Sequence, residues 1–306
     1  MKRQCQRIFA GLVATVVAIA VGVTGVNPAV AVAATSSTDG VNSAVVANSP
    51  GDSGAEAKKP GKNSSKKKTA KQKKAAKKKK AAKAKKALRA AKKKARAKSR
   101  KAPVLSSGSR GEQVTRLQKL LRKNGYWISS ADGKYGHSTQ QAVMAVQKST
   151  GRARTGRATQ GVWYELFLGT KPPTSITKAQ SKKRAVFEID LSRQIMSIVR
   201  NGKVRTTFNI SSGSNSYYTH KGRRIYAHTP TGSFKVYMKR DYLHKAELGP
   251  MYRPQYYLSG GWAIHGSPNI PNYPASHGCI RIANPAMDYL WGKGGMGIGS
   301  EIVIRK

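Results

Sequence analysis

His265, His277 and Cys279 fall within one short stretch, HGSPNIPNYPASHGC, and together they hold the parts of a nucleophilic site. Cysteine attacks as its thiolate, and a free thiol with a pKa of about 8.5 is only a few per cent ionised at neutral pH. An imidazole alongside can take the proton, and the resulting thiolate–imidazolium pair is itself favourable. His277 stands two residues before Cys279. Alternate side chains of an extended stretch share a face, so spacing alone favours His277 as the base. His265 ends an apolar run fourteen residues before the cysteine, and a Pro-containing loop can fold it back at moderate entropic cost. Gly278 permits a turn. It also lets bare backbone N–H groups approach a substrate carbonyl, as an oxyanion hole requires.

Two other readings of these residues stay open. His265, His277 and Cys279 with a water could bind zinc, although no acid or further cysteine lies nearby to complete the site. Cys279 could equally be a small buried hydrophobe, since free cysteine is among the most buried residue types. The chain's other cysteine is Cys5. It lies in a segment with an export pattern: cationic Lys2, Arg3 and Arg7, an apolar run from Ile8 to Val26, and a small-residue site at Ala31-Val32-Ala33. Cleavage after Ala33 leaves Cys279 as the lone thiol and excludes an internal disulfide. An uncleaved segment would be a membrane anchor.

Charge is concentrated upstream. Of 58 Lys and Arg residues, 24 lie between Lys58 and Lys101, where no acid occurs. The chain after Lys101 still carries 31 Lys and Arg against nine Asp and Glu, so the whole protein should seek polyanions. Residues 34–103 read as a disordered spacer whose Lys/Ala tract is a solvated polycation that turns helical against a polyanion. The export pattern sets nucleic acid aside and points to anionic wall polymers or a membrane surface. A stiff, self-repelling spacer is the alternative.

The elements that must carry the chemistry come in two blocks. Residues 104–170 predict a small all-α module of three helices, with capping boxes at Ser109–Glu112 and Ser138–Gln141. Val114, Leu117, Leu120 and Leu121 line one helix, Ala142, Val143 and Val146 a second, and Val162, Trp163 and Leu166 a third. A linker covers 171–181. Residues 182–306 predict a mainly β domain, a sandwich or partly closed barrel, with an Asn201-Gly202 hairpin and one helix capped by Asn284.

GSRGEQVTRLQKLLRKNGYW, DGKYGHSTQQAVMAVQKSTG and TQGVWYEL, in that order, resemble the peptidoglycan-binding three-helix module of bacterial wall enzymes. Val146 departs from the aromatic residue that family often has there. AIHG followed by SHGCIRI, with TPTGSF and GSEIVI, is similar to the signature of the YkuD-type L,D-transpeptidases over roughly 182–306. That resemblance implies Cys279 as nucleophile, His265 as general base and His277 as a supporting polar residue. It implies backbone N–H groups of Gly278 and Cys279 at the oxyanion, and Ser276 and Arg281 shaping the site or holding a substrate carboxylate. Gly266 stands where some members carry Ser, so orientation of the base must pass to a backbone carbonyl or another group. The implied substrates are peptidoglycan tetrapeptide stems. Terminal D-Ala would be released and 3→3 cross-links formed without metal or cofactor. Water or a D-amino acid as acceptor would give carboxypeptidase or exchange activity, and a non-catalytic wall-binding protein is the rival class.

Overall fold

The computed structural model describes residues 70–306. The export pattern, Cys5 and the spacer up to residue 69 lie outside the described residues. Among the described residues, no helix is long and apolar enough to cross a membrane.

From Ala70 onward the expectation of an unstructured polycation is corrected. Ala70–Arg100 is one continuous helix, α1. Alanine, lysine and arginine are among the best helix formers, whereas like charges one turn apart cost only tenths of a kcal/mol per pair. Lys98 and Arg100 sit at the negative end of the helix dipole. Ala95 and Ser99, one turn apart, are buried where α1 docks on the module's last helix. Side chains from Gln72 to Lys94 are exposed.

The module consists of α2 (Glu112–Lys123), α3 (His137–Ser149) and α4 (Gln160–Leu168). Its core joins Val114, Leu117 and Leu121 to Val143, Val146, Val162 and Trp163. Neither capping box forms. Gly111 and Gly136 take the cap positions. Ser109 Oγ instead accepts from the Ser106 N–H at 3.1 Å, and Ser138 Oγ from the Ser129 N–H at 3.0 Å.

The β domain runs β1 (Val186–Asp190), β2 (Ile195–Arg200), β3 (Lys203–Asn209), β4 (Tyr217–His220), β5 (Arg223–Tyr226) and β6 (Gly232–Lys235). It continues through β7 (Met238–Lys239), β8 (Leu243–Ala246), β9 (Gly249–Leu258), β10 (Trp262–Ser267), β11 (Ile280–Ala283), α5 (Asn284–Trp291) and β12 (Glu301–Arg305). One sheet has the order β3-β2-β1-β12-β6; the other is β11-β10-β9-β7 with β8 on β9; β4 and β5 form a separate hairpin. Phe187, Ile189, Met196 and Ile304 of the first sheet share a core with Ile264, Ile280 and Ile282 of the second. Met287 and Leu290 of α5 pack into the same core. The result is a sandwich rather than a closed barrel. In α5 the cap is Ala283, not Asn284, and Asp288 accepts from Tyr252 and Arg253 instead of capping the helix.

The two blocks are joined by more than a chain segment. Thr174 and Ser175, in the expected linker, hydrogen-bond the buried Glu188 carboxylate of β1. The Trp127 N–H donates to Thr207 O at 2.9 Å, so the module covers the outer edge of β3.

Candidate active site

β10 and β11 pair in parallel, with Ile264 opposite Ile280 and His265 opposite Arg281. Strand alternation sends Ile264, Ile280 and Ile282 into the sandwich core. The same alternation puts Ala263, His265 and Arg281 on the other face. Cys279, one residue before β11, continues this alternation and packs with Ala263, Tyr256 and Met251. The pairing therefore brings His265 and Cys279 onto one sheet face from positions fourteen residues apart.

His265 is 4% exposed, and its Nδ1 lies 2.9 Å from Gly266 O. A carbonyl only accepts, so in the neutral ring the proton sits on Nδ1 and Nε2 keeps its lone pair. Burial, with the Arg281 charge adding, pulls the His265 pKa down to about 4. Burial also pushes the Cys279 thiol up, against the opposing effects of the Ala263 backbone and Arg281. Its Sγ donates to Gly261 O at 3.4 Å. Both shifts favour the neutral forms over the thiolate–imidazolium pair that the sequence suggested.

His277 lies elsewhere. It is exposed, and its ring packs on Tyr218 of β4 with centroids 4.5 Å apart. Partial burial, then Arg281 and His220, lower its pKa. Arg281 is half-buried and acts electrostatically on His265, His277 and Cys279 alike.

Two expectations change at the turn before the cysteine. The Gly278 N–H donates to Ser276 Oγ at 3.1 Å, so it is already engaged and is not a bare oxyanion donor. Ser276 Oγ donates its one proton to Cys279 O at 2.6 Å, which leaves it no donor for a substrate carboxylate. Ser276 shapes the turn. Gly278 has φ +144°, and a Cβ there would meet His228 O and Trp262 Nε1, each at 2.9 Å. Only glycine fits. Its carbonyl accepts from Thr229 Oγ1 at 2.7 Å, and that oxygen accepts from the Gly213 N–H at 2.9 Å. Thr229, Tyr218 and Trp262 are not singled out as site residues by the sequence; the only signal near Thr229 is TPTGSF, which enters there as part of the family resemblance. Among the described residues, no three His, Cys, Asp or Glu side chains gather as a metal site.

Comparison with known proteins fits this geometry. Residues 184–304 match the L,D-transpeptidase catalytic domain family YkuD, and residues 110–166 match the peptidoglycan binding domain family. The solved L,D-transpeptidase of Xylanimonas cellulosilytica is similar at 44% identity, covering 67% of this chain and 98% of that one, with a TM-score of 0.62. That of Stackebrandtia nassauensis matches at 19% identity over 66% of this chain and 95% of that one, with a TM-score of 0.39. The sandwich, the helical module and the 44% identity over 67% of this chain together place it in the YkuD family of L,D-transpeptidases, joined to a peptidoglycan-binding domain.

Proposed function

We propose that the chain forms 3→3 cross-links in peptidoglycan by acyl transfer through Cys279. The observation that carries this reading is the shared sheet face of His265 and Cys279, with Gly266 O fixing the tautomer that leaves Nε2 as proton acceptor. Nε2 takes the thiol proton as Sγ attacks the carbonyl between the stem's diaminopimelate L-centre and terminal D-Ala. With burial favouring the neutral form of each partner, proton transfer accompanies attack. The Cys279 N–H stabilises the oxyanion. The tetrahedral adduct collapses to a thioester as His265 returns the proton to the departing D-Ala amine. A stem side-chain amine then attacks the thioester, His265 takes its proton, and the thiol is restored. Arg281 biases the face toward anionic stems, and His277 with Tyr218 forms part of the rim.

The helical module holds the enzyme on the wall, outside the cytoplasm. Lys98, Arg116, Lys119 and Lys123 rim a groove of about 730 Å³ floored by Leu166 and Phe167. This groove and α1 engage anionic wall polymers. α1 carries cations on all sides and almost no large apolar residue, whereas a membrane-surface helix needs an apolar face. Deleting residues 58–101 should lower retention on isolated walls at low salt and flatten its salt dependence. Unchanged retention would reduce the tract to a spacer.

Mass spectrometry after incubation with tetrapeptide muropeptides tests the chemistry. Wild type should release D-Ala and carry an adduct on Cys279, and Cys279→Ala should do neither. Release of D-Ala without cross-linked product would favour the carboxypeptidase reading. Wild type that forms no adduct would leave only a wall-binding role.

A further inference from the structure

The turn that carries Cys279 is held by the segment leaving β3. Ser211 and Arg281 exchange two backbone hydrogen bonds, of 3.1 and 2.9 Å. Ser212 O accepts from the Ala275 and Ser276 N–H groups at 2.9 Å each, and Ser211 Oγ donates to Tyr273 O at 2.8 Å. Gly213 holds Thr229, which in turn holds Gly278. Residues 210–214 thus splint the whole approach to the cysteine.

The splint is gripped from outside the β domain. Lys148, in the last turn of α3, is 2% exposed and donates from Nζ to Ile210 O at 2.8 Å. A lysine buried to that degree is rare unless it is paired. Burial first and the Arg154 charge second pull its pKa down to about 7, and in either protonation state the amine keeps an N–H for that carbonyl. Gln141, also on α3, accepts from Asn209 Nδ2, one residue before the splint. Arg154, just past α3, forks to Asn272 O at 3.2 Å and Ser192 O at 3.4 Å. Asn272 returns a bond from Nδ2 to Arg154 O at 2.9 Å. Asn272 lies in the loop between His265 and Cys279.

We infer that Lys148 and Arg154 of the helical module are positioning residues for the Cys279 turn, so that the peptidoglycan-binding module is part of the catalytic apparatus as well as a wall anchor. Lys148 holds one end of the splint, and Arg154 holds the loop that the splint supports. Neither residue touches substrate. The inference rests on the proposed role of Cys279 as nucleophile. Misplacing a reacting group by about 1 Å can cost on the order of a hundredfold in rate.

The test uses the full chain and a carbapenem, a small acylating agent that needs no wall contact. Adduct formation on Cys279 is followed by mass, over a range of carbapenem concentrations, for wild type, Arg154→Ala, Arg154→Lys, Lys148→Met and Asn272→Ala. Arg154→Ala should lower the limiting acylation rate at least about tenfold, with the half-saturating concentration and Tm little changed. Arg154→Lys, which reaches only one of the two carbonyls, should recover part of that loss. Asn272→Ala, an exposed loop change, should act in the same direction and decides the matter if Lys148→Met unfolds. Folded variants acylated at the wild-type rate would overturn the inference while leaving the nucleophile in place. A wild type that forms no adduct would instead remove the reading on which the inference stands.

Discussion

The two faces of the β10–β11 pair are built from the same two strands, of six and four residues, and behave in opposite ways. One face presents Ile264, Ile280 and Ile282 to the sandwich core, where packing alone matters. The other presents His265, Cys279 and Arg281, where the same exclusion of water shifts proton affinities instead. A dry environment stabilises an isoleucine, but it pulls a histidine pKa down and pushes a thiol pKa up. The difference teaches that the chemistry here is set by which side of one strand a residue falls on. A slip of one residue would exchange the two sets.

The sharpest way to break this contrast is on the polar face. His265→Ala should slow acylation of Cys279 by about 10²–10⁴-fold, measured as the initial rate of adduct formation, while thermal melting still shows a folded chain. Normal acylation by that variant would reverse the assignment of the base. On the apolar face, Ile280→Ala should cost about 2–5 kcal/mol of stability, read from denaturant midpoints. Acylation by the fraction still folded should survive that change. If Ile280→Ala leaves stability untouched, the two faces are not divided as described.

The third test is pH. The His265 pKa is about 4 in the folded chain against about 6.5 when exposed, so between those values the unfolded state binds more protons. Stability should therefore fall as pH drops from about 6.5 to about 4, and His265→Asn should flatten that slope in denaturant titrations at pH 7 and 4.5. For the same reason the acid limb of acylation should lie near pH 4 rather than 6.5. The smallest effect belongs to the rim: His277→Ala should lower acylation by less than about tenfold, because a supporting contact carries less than the proton acceptor itself.

Much of this was legible in the sequence, for local reasons. The Asn201-Gly202 hairpin takes left-handed φ angles of 54° and 66°, as its residue types demand. The helix faces of the module followed from apolar spacing that the structure buries. β9 was not legible, although it has ten residues, because Pro250 and Pro254 interrupt its pattern and Arg253 adopts φ 49°. The hairpins β4–β5 and β8 were hidden too, since no fully buried face marks them with apolar alternation. Ser109 and Ser138 look like caps in isolation, yet their hydroxyls accept from the Ser106 and Ser129 N–H groups, which lie outside the helices. The grip of Lys148 on Ile210 spans 62 positions, and no local pattern encodes it. At the site, the sequence puts His265, His277 and Cys279 in one stretch but does not show their hydrogen bonds or the Thr229 contact: Ser276 and Gly278 serve each other and the turn.

The acceptor that orients His265 is a main-chain oxygen, that of Gly266. Every side-chain scan is therefore blind to one member of the trio of sulfur, imidazole and carbonyl. Replacing Gly266 itself would not reveal it, because a Cβ there would run into Asn284 Oδ1 and Tyr252 Cδ1, each at 2.7 Å, and disturb packing first. Reading that oxygen requires backbone chemistry, such as an ester in place of the peptide bond between Gly266 and Ser267, which weakens the carbonyl as an acceptor and leaves every side chain in place.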